Sequence, residues 1–175
     1  IRIFSNTNQL TEKYAFDYNN VPSQRLKLEY VSKVPVSLEP NEIKYTLNYN
    51  NFENLPNYFS RRTDHFGYYS GILAYVPSLP INFSTIEANY YPSRNSVESN
   101  ILIGQLKEIV YPTGGKSVFE YEIHDYSEKL SNDRQSIVPA SGTMGGLRIK
   151  SIKSYSDAST NFILKNYKYK KNYLG

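Results

Sequence analysis

Along most of the chain, apolar and polar residues alternate, the period-2 signature of half-buried β-strands. Tyr14, Phe16 and Tyr18 share one face in "KYAFDYNN". Leu26, Leu28 and Tyr30 do the same in "RLKLEY", as do Ile43, Tyr45, Leu47 and Tyr49 in "EIKYTLNYNN". The pattern returns with Phe119, Tyr121 and Ile123 in "SVFEYEI" and with Ile163, Tyr167 and Tyr169 near the end. Helical periodicity is nearly absent; only "SRNSVESNILI" (93–103) suits a short helix, with Ser93 or Asn95 as its cap.

The strands pair by type. A Leu-x-Leu or Leu-x-x-Ile member precedes one that ends aromatic-x-Tyr: "RLKLEY" before "IKYTLNY", "QLKEIVY" before "SVFEYEI", "GLRIKSIKSY" before "FILKNYKY". "KYAFDY" then reads as a second member whose first half precedes the sequence, and the chain as a fragment of a longer one. Spacing between the pairs is uneven, so insertions separate them. Residues 51–103, with Pro56, Pro77, Pro80 and Pro92, alternate poorly and read as one large irregular insertion. The polar stretch 124–146 is expected to be a second connection, mobile at its centre. Within "GLRIKSI", Ile149 and Ile152 have opposite phase, which predicts a bulge.

The fold class expected is therefore all-β: antiparallel hairpins in an elongated or curled sheet. Residues 1–175 form a single β-rich segment, divided into strand pairs (1–50), the insertion (51–103) and further hairpins (104–175). An apolar, Tyr-rich face is expected to pack inward and a Lys/Asn/Ser-rich face outward. Composition agrees: 18 Tyr and 8 Phe favour strands with a partly wet face. The absence of cysteine rules out disulfides, thiolate metal sites and a cysteine nucleophile. No apolar run is long enough for a helical membrane span. The net charge is +4, densest in "LKNYKYKKN" (164–172). There Lys165, Lys168, Lys170 and Lys171 surround Tyr167 and Tyr169, and they read as edge-strand protection rather than a nucleic-acid patch.

In "YPTGGKSVFEY" (111–121), Pro112 ends the incoming strand, and Gly114 and Gly115 are expected to supply positive φ for a tight reversal. A strand follows at once, so this is a hairpin turn and not a phosphate-cradling loop, which would feed a helix. These residues carry a resemblance. "GQLKEIVYPTGGKSVFEYE" (104–122) is similar to the RHS/YD repeat of large bacterial secreted proteins. Gly104, Leu106, Ile109, Pro112, Gly115, Phe119 and Tyr121 fall on the repeat's pattern. "RTDHFGYYSG" (62–71) and "GGLRIKSIKSYSD" (145–157) resemble segments upstream of such repeats in surface proteins of bacteria with type IX secretion. The strand endings Tyr121-Glu122, Tyr49-Asn50 and Tyr18-Asn19 depart from the usual Tyr-Asp, which marks a divergent region bordering the repeats.

The resemblance implies a non-enzymatic scaffold, secreted or at the cell surface, with no catalytic residues and no cofactor of its own. Its partner would be the remainder of its own polypeptide, with a secretion machinery or a surface glycan as further candidates. Pro112, Gly114, Gly115, Phe119 and Tyr121 are then structural. The alternative is a glycan-binding module in which Tyr68, Tyr69, Tyr90 and Tyr91 stack on sugar rings, although the chain has no Trp.

Other candidate chemistry weighs less. Asp64 beside His65 suggests an acid–base pair, but neighbours on a strand point apart. The expected roles are structural: Asp64 in a turn, His65 hydrogen-bonded, Phe66 and Tyr68 in a core. Glu120 and Glu122 share a face, with Asp125 close behind, as glycosidase carboxylates would and as any half-exposed strand does. Ser141 in "PASGTMGG" lacks the glycines of a nucleophile elbow. Asp125, Glu128 and Asp133 lack calcium-loop spacing.

Overall fold

A computed structural model describes residues 1–36, 43–76 and 82–169. The protein is all-β, with eight strands forming one open antiparallel sheet: β1 (Arg2–Phe4), β2 (Leu10–Tyr18), β3 (Leu28–Val34), β4 (Ile43–Tyr49), β5 (Leu106–Val110), β6 (Lys116–Leu130), β7 (Ile137–Tyr155) and β8 (Ile163–Asn166). Spatial order equals chain order, so strands that follow one another in the chain are neighbours in the sheet. Two compact units share the chain. One comprises 1–50, 106–120 and 151–175; the other comprises 51–105 and 121–150.

In the first unit the ladders show how the alternation is used. Phe16, Val31 and Tyr45 lie in one cross-strand row, followed by the row Leu47, Ile109 and Ser117. The opposite face carries Ala15–Ser32–Lys44 and Asp17–Tyr30–Thr46–Val110–Lys116. Paired residues project to the same side, so Tyr30 shares a face with Lys44 and Thr46, not with Tyr45. Lys44 Nζ lies 3.5 Å from the centre of the Tyr30 ring and covers it. The polar face is further tied by Glu108, which meets Lys116 at 2.9 Å and accepts from Asn48. On the apolar face Tyr45 and Tyr111 meet edge to face, at 6.1 Å. That face is not sealed: Phe16 and Tyr45 are each 39% exposed. Among the described residues, Ile101 and Ile123 are the buried hydrophobic side chains, and of the two Ile101 is the more fully enclosed.

Three expectations need correction. The first half of the opening pair is present, because β1 pairs with β2 through Arg2↔Lys13 and Ile3↔Glu12. The stretch 124–146 is not a loose connection: β6 and β7 run through it and close in a tip, where Ser131 N donates to Ser136 O and Arg134 adopts φ 60. In the 111–115 turn only Gly114 has positive φ, at 86°. Tyr111 N donates to Gly115 O and Gly114 N to Tyr111 O, a three-residue hairpin loop with its left-handed residue at Gly114. Gly115 is required for a different reason. A Cβ there would lie 2.7 Å from the Tyr155 carbonyl oxygen. Phe119 and Tyr121 follow in β6, both half-buried, and burial pushes the Tyr121 phenol up.

Strand β8 stands at one end of the order with every residue exposed, and Lys165 lies on it. Lys170 and Lys171 lie outside the described residues. Between β4 and β5 the described residues include several short helical turns, among them Phe83–Thr85, capped by the Asn82 side chain. The helix expected at 93–103 is reduced to Pro92–Arg94 and Glu98–Ile101, and Val97, with no side-chain cap, precedes the latter in place of Ser93 or Asn95. No helix among the described residues is long and apolar enough to cross a membrane.

Candidate functional site

The second unit holds the densest polar constellation, built on "RTDHFGYYSG". Residues 61–64 run antiparallel to 68–74: Asp64 N donates to Tyr68 O, Ser70 N to Arg62 O and Ala74 N to Arg61 O. Thr63 and Tyr69 form a bridge within this small hairpin. Its tip is closed by Asp64, whose side chain is fully buried. Oδ1 accepts from Phe66 N and Tyr68 N, both at 2.9 Å, and Oδ2 from Ser96 Oγ at 2.7 Å. Asp three residues before Gly suits this turn: the carboxylate caps the backbone amides it faces, and Gly67 takes φ 90.

Residues 90–96 complete the constellation. Arg94 donates from Nη2 to the Asp64 carbonyl and from Nη1 to Tyr90 Oη, each at 2.7 Å. His65 N donates to Arg94 O, and His65 Nε2 lies 3.2 Å from the Tyr91 carbonyl, to which it donates. The imidazole also leans on Tyr91, with ring centres 5.8 Å apart. Asp64 and His65 therefore spend their polar atoms on different partners. They do not form an acid–base pair, and the Asp64 carboxylate, enclosed by donors, presents no face to a substrate.

The glycine pair of β7 explains why this turn sits where it does. A Cβ on Gly145 would lie 2.7 Å from Asp64 Oδ2 and 2.6 Å from the Phe66 ring. Gly146, at φ 103, has His124 Cδ2 at 2.9 Å and Tyr68 Oη at 3.4 Å from the same position. Gly146 also takes a positive φ within this strand, ahead of the stretch between Ile149 and Ile152 where the phase change predicts a bulge. "RTDHFGYYSG" and "GGLRIKSIKSYSD", far apart in sequence, thus meet through Asp64, Phe66 and Tyr68 over Gly145 and Gly146. Sequence reasoning missed Arg94 and Ser96 as members. Their only local trace is the polar run "SRNS".

The four tyrosines proposed for sugar stacking do not form one platform. Tyr90 and Tyr91 are adjacent, 5.6 Å apart and nearly perpendicular at 75°. Tyr91 is exposed, whereas Tyr90 is half-buried with the Arg94 guanidinium against its ring. Tyr69 is half-buried in its bridge to Thr63, and Tyr68 extends toward Gly146 beside His124. Phe66 and Tyr68 were expected in a core, but they keep 54% and 42% of their surface exposed. They border the buried carboxylate without being enclosed themselves.

The acidic strand positions are occupied too. In the second unit Arg148 bridges Glu122 and Asp125, at 2.7 and 2.8 Å. In the first, Glu120 accepts from Ser151 Oγ and pairs with Lys153. Such cross-strand ion pairs hold β7 against β6 and leave no two carboxylates facing each other across a substrate gap. Ser141 is exposed on β7, next to Gly142, which packs against the Tyr126 ring. Asp133 accepts from Ser131 Oγ and Gln135 N in the hairpin tip. Among the described residues no three His, Asp or Glu side chains gather as a metal site. No family model matches the chain, and neither a curated protein nor a solved structure is similar to it.

Proposed function

We propose that the chain is a non-enzymatic structural segment of a larger secreted or cell-surface protein of the RHS-like kind, serving a shell or adhesin. One observation carries this reading. Among the described residues eight strands pair strictly in chain order, so each hairpin extends the sheet left by the last, with β1 and β8 at the two ends of that order. The polar constellations support it, since Asp64, His65, Glu120, Glu122 and Asp125 are all engaged in bonds that fix backbone and strands. A secretion machinery or the rest of the same polypeptide is the natural partner of such a segment.

The test is an electron cryomicroscopy structure of the segment within its parent polypeptide. The reading expects a further strand hydrogen-bonded to the outer edge of β8. A β8 edge covered instead by a loop or helix that closes 1–175 into a separate domain overturns it. A glycan-binding module is a second reading, favoured by the 54% exposure of Tyr91 next to His65. On a glycan array, saturable binding abolished by Tyr91→Ala or Tyr68→Ala would make it the better one.

A further inference from the structure

The open end of the small 61–74 hairpin carries an apolar projection that the Asp64 turn does not use. Phe59 is 94% exposed and Tyr58 61%, beside a turn in which Ser60 N donates to Asn57 O. Ile72 and Leu73, on the returning arm, are 41% and 55% exposed. Isolated exposed apolar residues are ordinary on a protein surface, but a run of large ones at a single loop end is not.

Arg61 and Arg62 follow immediately. Both are exposed, and Arg62 is held by its Nη1 donating to Gly71 O at 3.0 Å. In the segment 51–76 the acidic residues are Glu53 and Asp64, and the Asp64 carboxylate is buried among its own donors. The exposed charge at this end is therefore mainly cationic, and it flanks a projecting aromatic side chain.

We infer that Tyr58, Phe59, Arg61 and Arg62, with Ile72 and Leu73, dock on an anionic lipid surface. Phe59, exposed over nearly its whole surface, suits insertion at the headgroup level. The arginines behind it pair with lipid phosphates in the plane above. The turn in which Ser60 N donates to Asn57 O holds Tyr58 and Phe59 at the start of the hairpin before contact, which limits the ordering needed on binding. A protein pocket for Phe59 is the competing occupant. The exposed arginines favour the phosphate-rich surface, because a lipid headgroup layer offers acceptors over an area, whereas a protein pocket must place one for each cation. This inference does not depend on the scaffold reading, since a shell segment and a glycan module are equally able to carry such a contact.

Vesicle co-sedimentation of the 1–175 chain tests it, comparing phosphatidylcholine vesicles with vesicles containing about one third phosphatidylglycerol. Binding is expected to the anionic vesicles only and to weaken as salt rises. Arg61→Gln should lower the partition coefficient about fivefold, from the loss of one cation near the surface. Phe59→Ser should lower it at least as much. Both side chains are exposed, and unchanged circular dichroism of the variants shows that the fold is intact. Equal binding to both vesicle types, no binding to either, or full binding by Phe59→Ser each overturns the proposal. So does a Phe59-dependent protein complex that forms without vesicle binding.

Discussion

At the residue scale, the second unit turns on absent atoms. Gly145 and Gly146 let a buried carboxylate and two aromatic residues lie against β7, and a methyl group has no room there. Gly145→Ala places a Cβ 2.7 Å from Asp64 Oδ2, which accepts from Ser96 Oγ while Oδ1 of the same carboxylate accepts from Phe66 N and Tyr68 N, so the group cannot move aside without breaking those bonds. The expected cost is about 2–3 kcal/mol in urea unfolding. Gly67→Ala is the control: nothing lies within 4 Å, but φ is 90, so only backbone strain of about 1 kcal/mol is expected. A Gly145→Ala no worse than Gly67→Ala would mean that the turn is not seated on β7 as described.

At the scale of elements, the hairpin between β5 and β6 separates the two uses of glycine. Gly114 supplies the left-handed residue and faces open space; Gly115 supplies a close approach to the Tyr155 and Ser156 carbonyls, at 2.7 and 2.9 Å. Gly114→Ala should cost about 1 kcal/mol. Gly115→Ala should cost more, because the obstacle is backbone and cannot rotate away. Thermal melting of the two variants ranks them, and the reverse order would contradict this account. Around this hairpin, Lys116 lies 5.2 Å from the centre of the Tyr155 ring and pairs with Glu108, so one lysine on β6 ties together β5 and β7.

At the scale of the whole molecule, stability rests on ladders and charged rows more than on a sealed core, and this gives it a pH dependence. Burial works against ionising Glu108, but hydrogen bonds from Lys116 and Asn48 outweigh it and hold its pKa below the usual carboxylate range. Glu12 is lowered likewise, by hydrogen bonds from Lys33 and Tyr14. A carboxylate depressed in the folded state stabilises above its unfolded pKa, and that contribution is lost as pH falls through the folded value. Lys33, Lys116 and Lys153 are raised, chiefly by hydrogen bonds to Glu12, Glu108 and Glu120, so their contribution is lost as pH rises through the raised values. The melting temperature should therefore hold steady near neutrality, fall as pH drops below about 4.5 and fall again above about 10.5. Glu108→Gln should flatten the acid limb; an unchanged acid limb in that variant would remove Glu108 from the explanation.

Local alternation by itself determined part of the sheet. Period 2 located β2, β3, β4, β8 and the first half of β6, because a residue's side of a pleated strand follows from its parity alone, and Pro112 with Gly114 located a reversal from φ requirements within four residues. Pairing by strand type anticipated the neighbours β3–β4, β5–β6 and β7–β8. Only the tertiary structure decided which strand faces meet, and Tyr30 joined Lys44 because register, not composition, sets the face. It also turned the polar stretch 124–146 into strand, where Arg148 supplies Glu122 and Asp125 with a partner that neither half of the hairpin shows alone. The Asp64 turn was legible as a turn, but its seat was not. Gly145 lies 81 positions farther along the chain, and a missing Cβ leaves no mark in a sequence until the backbone brings something against it.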